Sequence, residues 1–366
     1  MFDIDLHRAI DALKIYIEGC FIQPSIQFQH LSGAGAIYQV EQKLKAFFNK
    51  KFALTFPSAT TALHTLCLAM DLVNTQILTS PINWGGGIAP FLFHNNKLRF
   101  CAFDPLTLNM SLPNLFSLPT NNTKAVLSVD FNGWPVDSQQ IKIFCEKNNM
   151  LYLSDCSQSM GALFNDKPAG YYADAIVLSF SPGKSFFAGE GGAIVTDDAA
   201  LYEKLIRYSQ HPLRQKTVLG VNNFNSYAPV NGRMNPLSAI LLNETFEVAL
   251  KALEDYQNLC YNLLVALRKN EFITNSPHIL NSKDSTFFRF VVKLKPSVTP
   301  QDVNEFLTRH QFPFLAKHYL PVIIPFDPSF KQQFKRHYSC SDALNVQNKK
   351  NFLDHYVQLS YHSTIP

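Results

Sequence analysis

Between about residues 52 and 200, short apolar runs rich in β-branched residues alternate with stretches whose apolar positions return every three or four residues. FALTF, QILTS, LRFCAF, AVLSV, MLYLS and AIVLSF read as strands, and a helix running to Met70 is among the helical stretches between them. This rhythm predicts an α/β domain built on a mostly parallel sheet. One unit shows the logic. Asp137 caps a helix with Gln140 three residues on, Ile141, Phe144 and Cys145 form its apolar face, and Asn148-Asn149 ends it. The strand MLYLS follows, ending at Asp155.

A longer helix is predicted from Asn235 as cap, with Pro236 at its first position, to about Lys269. Leu237, Ile240, Leu241, Phe246, Ala249, Leu253, Tyr256, Leu263 and Leu267 carry its apolar stripe. At about 1.5 Å per residue it spans roughly 50 Å, enough to bridge two domains. The remainder holds a β run (TFFRFVVKL), helices near 300–309 and 342–354, and a closing run, YVQLSYH. It reads as a small α+β domain.

Composition adds bounds to this picture. A chain of 366 residues exceeds one small core and fits a large domain plus a smaller one. With 46% hydrophobic and 16% charged residues, a globular core is expected and long disordered segments are not. The net charge of +4 is spread along the chain without a basic arm, which argues against nucleic acid binding. The seven cysteines are scattered with no CxxC pair, as expected in a reducing cytoplasm, and no metal is assigned. The N-terminus, MFDIDLHRAIDALKIYIEGCF, has helical spacing and neither a basic leader nor a continuous apolar segment, so no signal peptide is expected. No run approaches the ~18 apolar residues of a membrane span.

Ligands of open α/β sheets sit at the carboxyl ends of the strands, so polar residues just after a strand carry the candidate chemistry. Four such stretches stand out: Ser58-Ala59-Thr60, Trp84 with Gly85 to Gly87, Asp155 to Gln158, and Ser179 to Lys184. Ser58-Ala59-Thr60 opens a helix, as an anion site or as an ordinary serine cap. Trp84 offers a flat face beside a backbone that approaches closely, or it belongs to the core. Asp155 is a pocket carboxylate or a solvated turn residue. Lys184, in SFSPGKSFFAGEGG, is a reactive amine or a solvated loop lysine. Gly183-Lys184-Ser185 mimics the end of a phosphate-binding P-loop, but the glycine that motif requires five positions before Gly183 is Leu178.

In this order and at these distances the stretches resemble the DegT/DnrJ/EryC1/StrS family of pyridoxal phosphate aminotransferases, over about residues 30 to 362. SATTALHTL is similar to the family's helix start, ILTSPINW to its aromatic segment, and GYYADAIVLSFSPGKSFFAGEGGAIVT to its lysine segment, with the Schiff-base lysine at Lys184. DPLTLNM, VDFNGWPVD and LSDCSQSMGA follow in place, and VNGRMNPLSAI matches an Asn-x-Arg-Met segment with Asn231 as its Asn. The resemblance implies pyridoxal 5'-phosphate as cofactor and an aspartate aminotransferase-like, fold type I large domain with a small C-terminal α+β domain. The division implied is 1–240, with an N-terminal helical segment, and 241–366, the bridging helix with the small domain.

It further implies roles. Lys184 and Asp155 are the catalytic pair: Lys184 forms the bond to the cofactor and moves a proton, and Asp155 pairs with the pyridine nitrogen. Trp84 stacks on the ring, Gln158 lies near its edge, and Ala59, Thr60, Ser179 and a partner subunit's copy of Asn231 hold the phosphate, which implies a homodimer with shared sites. The expected reaction moves an amino group from an amino acid, glutamate, to a keto sugar linked to a nucleotide. Departures fall on the substrate side: Met160, Asp130 and Asn132 replace family residues, and Gly85 to Gly87 replace bulkier ones. They leave open a cyclic ketone that carries no nucleotide. A keto-sugar dehydratase is the other enzymatic alternative, although those relatives carry His where this chain has Lys184. A silent cofactor-binding regulator is the alternative from another class.

Overall fold

The computed structural model describes residues 6–221, 230–274, 279–334, 337–349 and 354–361. Its largest element is an eight-stranded sheet. In spatial order the strands are Phe52–Phe56, Gly192–Thr196, Ala175–Ser179, Leu151–Asp155, Thr123–Val129, Gln76–Thr79, Lys97–Phe100 and Tyr338–Cys340. Only Gly192–Thr196 runs against the others, so the remaining strands share one carboxyl edge. Successive residues of a strand enter different cores: Ile77, Leu153 and Val177 pack on one face, while Leu78, Tyr152 and Ile176 pack on the other. A sheet covered on both faces needs such unbroken apolar runs, which is why AVLSV and AIVLSF lack the alternation of a half-exposed strand.

The long helix is Pro236–Lys269, with the Asn235 side chain accepting from the Leu237 N–H. Its buried face is made by Ala239, Leu242, Phe246, Leu253, Cys260, Leu264 and Leu267 among others, whereas Leu237, expected in the stripe, is 41% exposed. Early in the helix Leu242 and Phe246 pack with the large sheet, while Cys260, Leu263 and Leu267 pack into a separate core with Phe290, Phe314 and Val357. That core lies on a three-stranded antiparallel sheet, Phe290–Lys293, Tyr356–Tyr361 and Phe314–His318. The helices expected near 300–309 and 342–354 are Pro300–Arg309 and Asp342–Lys349, with 350–353 outside the described residues. Tyr338–Cys340 returns to pair in parallel with Leu98–Phe100, so a cut at residue 240 leaves one strand of the large sheet on the far side.

Candidate active site

At the carboxyl edge of the large sheet a cavity of about 440 Å³ is lined by Ala59, Thr60, Trp84, Asp155, Gln158, Ser179 and Lys184, together with Asn83, Glu190, Phe288 and Arg289. All the sequence candidates but Asn231 reach it, several through simple local devices. Ser58 caps the Ala59–Ala69 helix, its hydroxyl accepting the Thr61 N–H at 3.1 Å. The N–H groups of Ala59 and Thr60 have no acceptor within the helix and remain for an anion. A Cβ at Gly192, on the neighbouring strand, would land on the Ala59 nitrogen and the Ser58 carbonyl carbon. The glycine therefore lets the helix start sit directly on the sheet edge.

Lys184 follows a tight turn, Ser181-Pro182-Gly183-Lys184, in which the Ser181 carbonyl accepts the Lys184 N–H at 3.2 Å and Gly183 has φ +83°. Pro then Gly at the two central positions is the type II preference. Two further bonds, Phe180 N–H to the Gly191 carbonyl and Ala188 N–H to the Phe180 carbonyl, both at 2.9 Å, pin the loop to the sheet. The Lys184 ammonium nitrogen lies 4.2 Å from the centroid of the Phe288 ring.

Asp155 is the last residue of its strand and is buried between two parallel neighbours. Its Oδ1 accepts the Ser157 N–H at 3.0 Å. Burial pushes the carboxyl above its ordinary range, while Ser157 and the charge of Lys184 pull it back. Lys184 is the mirror case: burial lowers its pKa, Asp155 raises it, and Arg289 lowers it again. A Cβ at Gly87 would crowd the Asn83 side chain and the Asp155 carboxylate, so the glycines after Trp84 let that backbone close over the acid. Trp84 is 73% exposed and caps the Gly85–Phe93 helix from the cavity's rim; the core alternative does not apply.

Gln158 also lines the cavity, but its side-chain oxygen already accepts the Asn132 N–H at 2.8 Å. Asp130 does not line it. This carboxylate is fully buried behind Asp155, accepting from Val136 N–H at 2.9 Å and Ser159 Oγ at 2.6 Å. Burial pushes it up to about 6. Its place under the site shows that this departure from the family pattern supports the sheet edge without lining the pocket. Asn231 lies outside the cavity too. It lines a second one of about 370 Å³ with His30 and Arg233, and its side-chain oxygen accepts from Arg233. Glu190 borders both cavities.

Asn83, Glu190, Phe288 and Arg289 were not among the sequence candidates. For Arg289 a signal existed, a cation interrupting the apolar run TFFRFVVKL. The cavity suits pyridoxal phosphate. It offers helix-start N–H groups and hydroxyls for a phosphate, a buried carboxylate for a protonated ring nitrogen, and an amine for an aldehyde. The Asn83 Nδ2 is buried with no partner among the described residues, as a group awaiting a polar ligand would be.

This sheet, its edge cavity and the appended smaller domain define a fold type I pyridoxal phosphate aminotransferase fold, with a mostly parallel large α/β domain. The chain belongs to the DegT/DnrJ/EryC1/StrS aminotransferase family, which it matches over residues 25–364. By sequence it is similar to the UDP-4-amino-4,6-dideoxy-N-acetyl-beta-L-altrosamine transaminase of Helicobacter pylori, 32% identical over 185 residues, 48% of each chain. The match thus spans about half the length of such relatives. By structure it is similar to Helicobacter pylori PseC, an aminotransferase involved in the biosynthesis of pseudoaminic acid (TM-score 0.75, 23% identity, 98% of this chain and 92% of that one). It is also similar to the E. coli GDP-4-keto-6-deoxy-D-mannose-3-dehydratase with hydrated PLP bound (TM-score 0.79, 18% identity, 97% and 92%). At these identities the structural likeness speaks for the fold.

Proposed function

We propose that this chain is a pyridoxal phosphate-dependent aminotransferase that moves an amino group from glutamate to a nucleotide-linked keto sugar in two half reactions. The observation that carries the reading is the placing of Lys184 and Asp155 in one cavity with the free N–H groups of the Ala59–Ala69 helix. The transaminase name of the Helicobacter pylori relative supports a UDP-linked substrate class. When bound, the cofactor supplies an electron sink that lets nitrogen pass between carbon skeletons. Asp155 holds the proton on its ring nitrogen. Ala59, Thr60 and Ser179 would hold its phosphate, Trp84 would cover its ring, and Gln158 would lie near the ring edge. Lys184 takes a proton from the substrate carbon at Nζ and returns it, a role suited to an amine that burial biases toward its neutral form.

The reading includes a homodimer. Asn231 stands outside the cavity of its own chain, as expected of a residue that serves a partner's phosphate, and Ile15, Phe21 and Ile22 on the N-terminal helix are 69%, 83% and 83% exposed. A cytoplasmic setting fits the seven free cysteines. Among the described residues no helix is long and apolar enough to cross a membrane. The direct test is turnover of glutamate with a panel of nucleotide-linked keto sugars. Amino sugar formation that Lys184→Ala abolishes is the expected result, and an active Lys184→Ala protein removes the reading.

A further inference from the structure

The segment Ser285–Arg289 carries Phe288 and Arg289 to the wall of the cavity that holds Lys184. It belongs to no strand or helix, yet Ser285, Thr286 and Phe287 are buried, so their backbone polar groups need partners from elsewhere. Ser285 Oγ and the Thr286 N–H donate to the Gly133 carbonyl at 2.8 and 3.1 Å, and the Arg289 N–H reaches the Asn132 carbonyl at 3.4 Å. Thr286 Oγ1 donates to the Gln158 carbonyl at 2.5 Å, and the Tyr256 hydroxyl donates to the Phe287 carbonyl at 3.3 Å. The segment is a strap, clamped along its length.

At its root the Ser285 carbonyl is met from the long helix. Gln257, 2% exposed, donates from Nε2 to the Ser285 carbonyl at 2.8 Å and to the Gly161 carbonyl at 3.2 Å. Both partners are acceptors, so only the amide nitrogen, with its two hydrogens, can serve them. Leu253, one turn earlier on the same face of the helix, packs so tightly on Gly161 that a Cβ there would strike its side chain. Gln257 thus ties the helix that joins the two cores to the chain that follows Asp155 and to the start of the strap. It does not itself line the cavity.

We infer that Gln257 is a positioning residue for Lys184: by holding the strap at Ser285 it keeps the Phe288 ring against the lysine and the Arg289 charge within its reach. The inference rests on the reading of Lys184 as the lysine that carries the cofactor. The ring centroid lies 4.2 Å from Nζ, and a strap released at its root lets the ring withdraw. Burial is the largest influence lowering the Lys184 pKa, and Arg289 lowers it further, so release of the strap acts through both in one direction, toward a more basic lysine. Asp155 and Glu190, the other charged groups on the cavity wall, stand on other segments of the chain.

The test follows capture of pyridoxal phosphate by the full-length, cofactor-free protein across a pH series. Gln257→Met keeps the length of the side chain and removes both donors, and it is expected to move the capture profile to higher pH by roughly 0.5–1 unit. Thr286→Val keeps the shape and removes the hydroxyl bound to the Gln158 carbonyl; it should move the profile the same way, and it decides the question if Gln257→Met does not fold. Each variant is repeated in a background of Phe288→Ala with Arg289→Gln, where neither side chain of the strap is left to act on Lys184, and there no further shift is expected. A profile that stays in place or moves to lower pH, or an equal shift in both backgrounds, overturns the inference, because Gln257 then serves stability alone or acts through the chain at Gly161. A wild-type protein that captures no pyridoxal phosphate removes the cofactor reading by itself; acetylation of Lys184 over the same pH series, read by mass spectrometry, then scores the strap with the same outcomes.

Discussion

Lys184 and Asp155 oppose each other's burial: the low-dielectric cavity drives both toward their neutral forms, and each one's charge draws the other back toward ionisation. The pair is therefore coupled to every other charge on the cavity wall, and substitutions that never touch Lys184 should move its titration.

The sign differs between neighbours. Asp155→Asn removes the anion that raises the Lys184 pKa, so the pH profile for capture of pyridoxal phosphate by the cofactor-free protein should move to lower pH. Arg289→Gln removes a like charge and should move the profile to higher pH. Capture rates followed by visible absorbance across a pH series check both; shifts in the same direction would contradict the coupling.

Phe288 is predicted to shield the lysine, its ring centroid lying 4.2 Å from Nζ. Phe288→Ala should admit water and relieve the desolvation that lowers the Lys184 pKa, carrying the capture profile toward higher pH. An unshifted profile would show that the ring plays no part.

Gly192→Ala places a methyl group against the backbone of Ser58 and Ala59, which cannot swing aside as a side chain can. A loss of roughly 1–3 kcal/mol of stability is expected, the usual cost of overpacking. Because the clash lies at the helix start, cofactor affinity measured by equilibrium titration should fall as well, whereas Gly183→Ala, with nothing within 4 Å of its Cβ, should act through its φ of +83° alone.

Far from the cavity, Glu41 and Arg214 form a buried ion pair at 2.6 Å, and Glu41 Oε1 also accepts both the N–H and the hydroxyl of Thr55 at 3.0 Å. Glu41→Ala strands the Arg214 charge and should cost about 3–5 kcal/mol in denaturant unfolding. A smaller loss would mean that water reaches the guanidinium.

Much of this architecture is legible in the sequence because its signals are local. FALTF and AIVLSF are strands at almost their expected bounds, and the pairing of Asn235 with Pro236 marks the start of the long helix. Ser58, Asp155 and Lys184 could be noticed because each stands at the end of a strand or shortly after it, where chain direction alone brings residues to one edge. What escaped depends on contacts distant in sequence. Arg289 reaches the cavity through the turn at Asn132 and Gly133, and Tyr338–Cys340 finds its partner strand at Leu98–Phe100. Asp130 looked like a pocket residue because nothing local shows that its carboxylate turns inward to Ser159 and Val136.

The central claim concerns Lys184 as the residue that carries the cofactor, and the absorbance spectrum of the purified protein with pyridoxal phosphate, before and after excess glutamate, tests it most directly. A visible band, lost in Lys184→Ala, that gives way to a near-ultraviolet band when glutamate is added is the predicted result for a transaminase. No visible band in wild type, or one that Lys184→Ala leaves intact, would contradict the account.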